Sequence, residues 1–390
     1  MRLGFYYHIP AIEKDGGIYM PGYLGRFLDV LATHFDTITL FQHLPDAGAN
    51  SKFDYQIQAG NIKLISLPPR GSVPNRILHA PRYAKVIKEQ IPYLDAFFIR
   101  GPTPLLPSLA RATRKKPTIL MLVGDYLAGI SSLPQPGWRR ELIRLWSWLN
   151  YLGQLKAAKR SLVVVNSRAL YQQYTGKSGK LFETRTSTLT ADDLFTRDDT
   201  CENMPVHLLY TGRMDPAKGL LDMVHALSLL RGQGEDVVLD LVGWAEDGSD
   251  ILTRIDETAV VKGVKDRVIF HGYKAVGPEL FAFYKTADIY LLASQSNEGF
   301  PRTIWEAMAH CVPVVATRVG SIPDFISGAA ELVEPKDPTK FADGIRRVIH
   351  DKELRQGYVQ RGFALAGQNT LESQVGAMAE KIKDWVEKNE

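Results

Sequence analysis

The segment from residue 294 to residue 324 constrains the fold of this chain most strongly. An apolar run at residues 287–293 precedes it, and a β-branched run at residues 312–316 lies near its end. Between these runs, a glycine-containing loop leads to residues 302–310, which are predicted to be helical because Pro301 suits a helix start. A strand, a helix and a second strand in this order form a βαβ unit, which is typical of parallel sheets.

Two glutamates lie at informative positions in this unit. Glu298 is in the loop after the first strand, at the edge where parallel α/β sheets bind ligands. Glu306 follows eight residues later, in the helix whose first turn contains Thr303. Because the free amides at a helix start attract anions, the pattern predicts an anionic ligand there. The two carboxylates would be available to bind its hydroxyl groups.

A second loop predicts a diphosphate site. A strand at residues 206–210 is followed by Gly212, Arg213, Lys218 and Gly219, and then by a helix with an apolar face. Two cations and the amides of a helix start can neutralise a diphosphate without a metal ion. The Gly-Lys-Ser/Thr ending of a Walker loop is missing, which excludes that type of phosphate site.

Length, cysteine usage and hydropathy predict a globular protein of two domains. A chain of 390 residues exceeds the size at which one core usually splits. The two cysteines, Cys201 and Cys311, are far apart, so we expect no disulfide framework and a reducing, cytoplasmic location. No run approaches the ~20 apolar residues of a membrane-spanning helix. Any membrane association is expected to be peripheral, on the inner face.

Charge is divided unevenly between the two halves. Residues 1–190 contain 25 Lys and Arg but 11 Asp and Glu, a balance of +14, whereas residues 191–390 have a balance of −10. This asymmetry indicates an anionic partner for the first half, such as an anionic lipid or a phosphorylated substrate. The basic residues match no nucleic-acid-binding module, so nucleic acid is not expected. A basic surface without a partner is the alternative.

One basic, apolar segment at residues 138–160 is predicted to be a single long helix. Leu142, Leu145, Leu149 and Leu152 form a stripe along it, and Trp146 and Trp148 flank that stripe. We expect the stripe to pack on the sheet, as in most such helices. The alternative is a helix that lies on an anionic membrane.

The sequence resembles the retaining nucleotide-sugar glycosyltransferases of family 4. The resemblance rests on Glu298 and Glu306 at their spacing, on Glu-Ala-Met-Ala from Glu306, on Val-Pro-Val-Val-Ala-Thr-Arg-Val-Gly from Val312, and on the Gly-Arg … Lys-Gly loop. It implies the α/β fold called GT-B, with two Rossmann-like parallel-sheet domains facing each other across a cleft. The implied domains are an acceptor-side domain at residues 1–195 and a donor-binding domain at residues 196–370. Helix 371–390 is expected to pack back on the first domain.

The resemblance also implies which residues form the site. Arg213 and Lys218 would hold the donor diphosphate, Glu306 the ribose, and Glu298 the transferred sugar. A glycine-rich loop between the first strand and first helix would contribute Gly17. The donor-binding residues are thus predicted to be Gly17, Arg213, Lys218, Gly272, Tyr273, Glu298, Gly299, Phe300, Thr303 and Glu306. The catalytic residues are predicted to be Glu298, Asp125, Arg213 and Lys218.

Three positions depart from the family pattern. A histidine often follows the strand predicted here at residues 118–123, but this chain has none between His79 and His207. Asp125 is the nearest ionisable residue that could accept a proton, although it could also merely cap a turn. Cys311 and Ser321 stand where the family usually has glycine.

The implied activity is transfer of a sugar from a UDP- or GDP-sugar to a hydroxyl group. The acceptor would be a glycan or a lipid-linked, anionic molecule, as in lipopolysaccharide or cell-surface polysaccharide biosynthesis. The chain contains no Asp-x-Asp motif, so neither a metal nor another cofactor is expected. Two alternatives stay open: a nucleotide-sugar-binding protein without turnover, and a GT-B enzyme of another chemistry, such as an epimerase or a phosphorylase.

Overall fold

The structure is a computed structural model, and it describes residues 1–46, 53–124, 137–295 and 300–389. The chain divides into two compact units, Met1–Arg185 with Gln374–Glu390, and Thr186–Ser373. The division thus lies somewhat before the predicted boundary at residues 195 and 196. From Gln374 onward, the C-terminal helix belongs to the first unit, where Asp384 lies 3.8 Å from the ammonium group of Lys180.

Sixteen strands occur in the described residues. They are β1 (Arg2–Tyr6), β2 (Ile12–Lys14), β3 (Gly17–Met20), β4 (Thr37–His43), β5 (Tyr55–Gln56), β6 (Ile62–Leu67), β7 (Ala96–Gly101), β8 (Thr118–Leu122), β9 (Ser161–Val165), β10 (Lys180–Glu183), β11 (Val206–Met214), β12 (Val237–Ala245), β13 (Val268–Gly272), β14 (Ile289–Leu292), β15 (Val314–Thr317) and β16 (Glu331–Val333).

Fourteen α-helices accompany these strands in the same part of the chain. They are α1 (Gly22–Ala32), α2 (Val73–Leu78), α3 (Ala80–Gln90), α4 (Leu106–Ala112), α5 (Gly137–Ala158), α6 (Arg168–Tyr174), α7 (Leu220–Gly232), α8 (Ile251–Val261), α9 (Pro278–Thr286), α10 (Arg302–Ala309), α11 (Ile322–Ile326), α12 (Pro338–His350), α13 (Lys352–Gln368) and α14 (Leu371–Glu387). None of these helices combines the length and apolarity needed to cross a bilayer.

Each unit is built on a parallel sheet, as the sequence predicted. The strand order is β10-β9-β8-β7-β1-β4-β6 in the first unit and β13-β12-β11-β14-β15-β16 in the second. Strands such as β7 and β9 are buried at every position, because helices cover both faces of a parallel sheet.

The first strand of each unit lies inside its sheet. Strand β1 pairs with β7 and β4, and β11 pairs with β14 and β12, all in parallel. The strand order therefore reverses at β1 and at β11, which makes these positions the topological switch points. Ligands of open α/β sheets bind beside the carboxyl ends of the strands at such points.

The predicted loop around Gly17 is instead part of a small antiparallel sheet. Lys14 pairs with Gly17 across the hairpin of β2 and β3, and Asp15 and Gly16 form its turn with φ of +51° and +74°. Left-handed values at both turn residues are typical of a type I′ turn, for which Asp-Gly is a favoured sequence. A Cβ atom on Gly17 would lie 2.6 Å from the side-chain nitrogen of Gln56. Glycine at this position is thus explained by packing. The connection between the first strand and the first helix, from which Gly17 was predicted to bind the donor, contains this hairpin.

The expectation that the leucine stripe of α5 packs on the sheet was also wrong. Its buried residues are Ser147, Asn150, Gln154 and Ala158. The amide nitrogen of Asn150 donates to the carbonyl of Pro104 at 3.1 Å, and that of Gln154 donates to the hydroxyl of Tyr174. Helix α5 therefore buries its polar face and leaves its leucines exposed.

Candidate functional site

The loop between β11 and α7 lies at the switch point of the second sheet. Arg213 is near the carboxyl end of β11, and Lys218 is in the turn that follows. Gly219 adopts a left-handed φ of +69°, and a Cβ atom there would lie 1.9 Å from the carbonyl oxygen of Ala293. Glycine is therefore required at this position, because the turn contacts the backbone just after β14.

Hydrogen bonds join this turn to the loop that follows β14. The backbone N–H of Gln295 donates to the carbonyl of Ala217 at 2.8 Å, and its side-chain amide donates to Asp222 at 2.6 Å. The predicted Glu298 and Gly299 lie outside the described residues. The structure thus brings the turn containing Lys218 to Gln295, three residues before Glu298 in the chain.

Arg213 is held by carboxylates. Its guanidinium lies 3.0 Å from Asp215 and 3.5 Å from Glu246, and its side chain is 45% exposed. Ion pairs this exposed contribute little to stability, because water screens them. Replacing these partners with an anionic ligand would therefore cost little. Asp215 also accepts a hydrogen bond from the N–H of Ala217 at 2.9 Å.

The neighbouring strands β12 and β13 end beside this loop. A Cβ atom on Gly243 would lie 1.8 Å from the carbonyl oxygen of Gly212, so β11 and β12 come very close near their carboxyl ends. After Gly243, the ring of Trp244 meets that of Tyr273 edge-on, with centroids 5.4 Å apart. The predicted Gly272 precedes Tyr273 with φ of +69°. Sequence reasoning missed Trp244, although an aromatic residue directly after a glycine near the end of a strand is a usable signal.

Glu306 lies inside the second unit. It is 3% exposed, and its carboxylate accepts hydrogen bonds from the hydroxyls of Thr188 and Tyr284, the latter at 2.8 Å. Burial raises the pKa of Tyr284 well above its ordinary value, so the phenol remains a donor. In turn, the hydroxyl of Thr211 contacts the Tyr284 oxygen at 2.5 Å. Sequence reasoning missed Thr188 and Tyr284, since no local pattern connects them to Glu306.

Thr303 and Phe300 are also committed to contacts within the second unit. The hydroxyl of Tyr290 donates to that of Thr303 at 2.6 Å, and burial raises the pKa of Tyr290. The Phe300 ring is buried against Trp305, with centroids 4.4 Å apart. A ligand would therefore meet the backbone of Phe300 rather than its ring.

The end of α10 explains the departure at Cys311. Cys311 has a left-handed φ of +54°, its N–H donates to the carbonyl of Met308, and the N–H of Val312 donates to that of Ala307. This pair of bonds is the Schellman motif, in which glycine is preferred at the left-handed residue. The position favours glycine because any Cβ atom is crowded in that conformation.

The first unit carries different chemistry at its switch point. Arg100, at the end of β7, is 7% exposed, and its guanidinium lies 4.8 Å from the Tyr7 ring centroid and 5.4 Å from that of Phe27. It forms no ion pair with a carboxylate of the described residues. His8 follows β1, and burial lowers its pKa to about 3, with help from the nearby cations Arg76, Arg70 and Arg100. Sequence reasoning missed both; the predicted Asp125 lies outside the described residues.

Comparison with known proteins finds similarity mainly in the second unit. Residues 197–364 match the model of the family Glycosyl transferases group 1. The lipopolysaccharide 1,2-N-acetylglucosaminetransferase of Salmonella typhimurium is 27% identical over 198 residues, which are 46% of this chain and 49% of that protein. A D-inositol 3-phosphate glycosyltransferase of Paenarthrobacter aurescens is 32% identical over 155 residues, 38% of this chain and 37% of that protein. The matches thus span less than half the length of these relatives.

Solved structures share the fold of the whole chain. HepE of Anabaena in complex with UDP-glucose superimposes with a TM-score of 0.71 at 18% identity, covering 100% of both chains. Sucrose-phosphate synthase of Thermosynechococcus elongatus gives a TM-score of 0.73 at 17% identity, covering 98% of both. The predicted GT-B class of fold, with two Rossmann-like parallel-sheet domains, is thereby confirmed.

Proposed function

We propose that this protein is a retaining glycosyltransferase of family 4 that uses a nucleotide-diphosphate sugar. One observation carries the proposal. The loop with Arg213 and Lys218 lies at the switch point of the second sheet, where Gly219 packs it against the end of β14. This loop belongs to the segment that matches the group 1 glycosyl transferases.

Arg213 and Lys218 would bind the donor diphosphate and stabilise the charge that develops as it leaves. The loss of one such group is expected to reduce the rate by about 10²–10³-fold, as for a lost oxyanion donor. UDP is the first nucleotide to test, because the similar HepE structure contains UDP-glucose; GDP is the second. Gly272, Tyr273 and Trp244 lie at neighbouring strand ends and would surround the base.

The sugar would be held by Glu298 and by the backbone of Gly299 and Phe300, with Glu306 serving the ribose. In the transfer step, the acceptor oxygen bonds to the anomeric carbon while the bond from that carbon to the phosphate oxygen breaks. The acceptor proton passes to the leaving phosphate, on the same face, so the configuration is retained. Asp125 is the alternative base. Glu298→Gln should remove most activity, and a glycosyl adduct on wild-type Glu298 would contradict this mechanism.

The acceptor is proposed to be a glycan or a lipid-linked molecule with an anionic group, on the cytoplasmic side of a membrane. The net charge of +14 in residues 1–190 and the buried Arg100 support an anionic acceptor. The names of the two relatives point the same way, since one is a lipopolysaccharide transferase and the other acts on an inositol phosphate.

The reaction is proposed to need no metal and no cofactor besides the donor. The supporting observation is that Arg213 and Lys218 supply two cations for the diphosphate in a chain without an Asp-x-Asp motif. Transfer should continue in excess EDTA. Complete loss of transfer there, with recovery on addition of Mg²⁺ or Mn²⁺, would contradict the proposal.

The deciding experiment is a thermal-shift panel of UDP, GDP, ADP, CMP and their sugar conjugates. One nucleotide family should raise the melting temperature of the wild type but not of Lys218→Ala, because binding to the native state stabilises it. Lys262→Ala, which changes an exposed lysine after α8, is the matched control and should respond like the wild type. A shift without transfer to any acceptor would favour the binding protein, and conversion of the donor alone would favour another GT-B chemistry.

A further inference from the structure

Helix α5 presents an apolar stripe to solvent. Trp138, Leu142, Leu145, Leu149 and Leu152 recur every three or four residues, so they share one side of the helix. They are between 41% and 64% exposed, and Trp148 beside them is 49% exposed. Single exposed apolar residues are ordinary, but a continuous stripe of this kind marks an interaction surface.

Two sets of contacts fix α5 against the rest of the first unit. Gly153, at the edge of the stripe, permits a very close approach to α4, because a Cβ atom there would lie 2.8 Å from a ring carbon of Pro107. Together with the buried Asn150 and Gln154, this contact sets the rotation of α5 about its axis. The outward direction of the leucines is therefore a consequence of packing and not a local choice.

A basic pocket adjoins the C-terminal half of α5. It has a volume of about 330 Å³ and lies between α4, α5 and the start of β9. Its lining contains five cations and no carboxylate: Arg111, Arg114, Lys116, Lys156 and Arg160. Within the described ranges, none of the five cations forms an ion pair. An uncompensated group of cations this dense favours an anionic ligand.

We propose that the stripe of α5 and this basic pocket together dock the protein on the surface of an anionic lipid bilayer. The leucine and tryptophan side chains would enter the boundary between head groups and acyl chains, as in interfacial amphipathic helices. The pocket would receive the phosphate of an anionic head group. Arg139, whose guanidinium lies 5.2 Å from the ring centroid of Trp138, would meet the head groups of the same lipid surface.

The charges around the stripe favour an anionic bilayer, rather than a second copy of this chain, as its partner. Two copies joined through the stripe would bring the cations of α5 and of both basic pockets towards each other, and Glu141 is the one acidic residue of α5. Like charges at such an interface are unfavourable. A bilayer with anionic lipids meets both requirements at once, because it offers apolar depth and negative charge at the same surface.

Vesicle flotation of the full chain tests the proposal. The protein should float with vesicles of phosphatidylcholine mixed with phosphatidylglycerol at least about tenfold more than with phosphatidylcholine alone, and high salt should reduce this binding. Leu145→Glu combined with Leu149→Glu should reduce it about tenfold or more. Val261→Glu is the matched control, since Val261 is 81% exposed on α8 in the second unit.

A second pair of variants isolates the pocket. Arg111→Gln combined with Arg114→Gln should weaken binding to anionic vesicles and reduce its salt dependence, whereas Lys262→Gln should change neither. Equal binding to neutral and anionic vesicles would overturn the proposal. So would a concentration-dependent dimer that Leu145→Glu dissociates, or thermal stabilisation by inorganic phosphate without any vesicle binding.

Docking on a bilayer would bring the protein to a lipid-linked acceptor, so the biological role of this surface rests on the proposed function. The two can be separated, because vesicle binding is measured without a donor. All variants of α5 and the pocket should keep the nucleotide-dependent thermal shift of the wild type. Vesicle binding without any nucleotide response would reject the enzyme and leave the docking surface standing.

Discussion

The two sheets have the same parallel architecture but different chemistry at their switch points. In the second unit, Arg213 is exposed and paired with Asp215 and Glu246, on a loop whose path requires Gly219. In the first unit, Arg100 is buried between aromatic rings, with no carboxylate partner in the described part of the chain, beside a neutral His8. The switch point of the first sheet thus holds a buried cation. The switch point of the second sheet holds an exposed cation whose ion-pair partners can be replaced.

The difference fits the two anions of the proposed function, a donor diphosphate and an anionic acceptor. An exposed cation with weakly held internal partners suits a diphosphate that binds and leaves in each turnover. A buried, unpaired guanidinium costs stability, because desolvation of a charge is compensated only by a partner. Such a residue at a strand end suggests that its partner is supplied from outside, by an anionic acceptor.

The largest expected effect is at the switch point of the second sheet. Arg213→Gln and Lys218→Met should each lower kcat/KM by about 10²–10³-fold, since each removes a cation from the leaving diphosphate. The control is Arg254→Gln, which should be neutral. It removes an exposed arginine of α8 that lies 4.0 Å from the carboxylate of Asp250. Steady-state kinetics measure kcat/KM for each variant. Equal activity of all three variants would remove the functional distinction between the two switch points.

The pH dependence of stability tests the burial of His8 at the switch point of the first sheet. Burial lowers the pKa of His8 to about 3, below its ordinary value, so the unfolded chain binds a proton first as the pH falls. The free energy of unfolding should therefore fall below about pH 6.5, by about 1–2 kcal/mol at pH 5. His8→Phe keeps the ring and should lose this part of the pH dependence in denaturant titrations. If the free energy of unfolding changed equally with pH in both proteins, His8 would be exposed to solvent rather than buried.

Arg100→Met should separate stability from function. The variant keeps contact with the Tyr7 and Phe27 rings but removes a buried charge, so the free energy of unfolding should rise by about 1 kcal/mol. At the same time, the KM for an anionic acceptor should rise about tenfold, as expected from the loss of one charged contact. Binding of the nucleotide should not change. A loss of stability with unchanged acceptor KM would mean that Arg100 is only a structural residue.

The smallest expected effect concerns the backbone after α10. Cys311→Gly should be more stable than Cys311→Ala by about 1 kcal/mol, because only the alanine keeps a Cβ atom at the left-handed φ of +54°. Comparing these two variants removes the common loss of the buried thiol. Chemical denaturation measures the difference, and equal stabilities would show that this position carries no backbone strain.

Local sequence patterns were sufficient to place the main strands, the helix and the turn of the second unit. The strand runs, the helix at Arg302–Ala309 and the turn with Arg213, Lys218 and Gly219 all lie where they were predicted. Each of these depends on residues close together in the chain, namely apolar runs, a proline at a helix start and glycines in tight turns. The resemblance to family 4 rested on the same short segments.

The first unit shows where such patterns mislead. The Asp-Gly turn of the β2–β3 hairpin was a readable signal, but the segment was interpreted as a glycine-rich loop from which Gly17 would contact the donor. For α5, no local signal distinguishes an inward from an outward stripe of leucines. The rotation of that helix is fixed by Gly153 against Pro107 and by Asn150 against Pro104, which are contacts with α4 and the loop before it.

The sequence by itself determined the fold class, the two parallel sheets and the place of the loop with Arg213 and Lys218, because hydrophobic periodicity and glycine positions act over a few residues. Only the tertiary structure decided which side of α5 is buried, that Thr188 and Tyr284 hold Glu306, and that Arg100 is desolvated. These features depend on which distant segments meet, since burial and hydrogen-bond partners arise from packing of the whole unit.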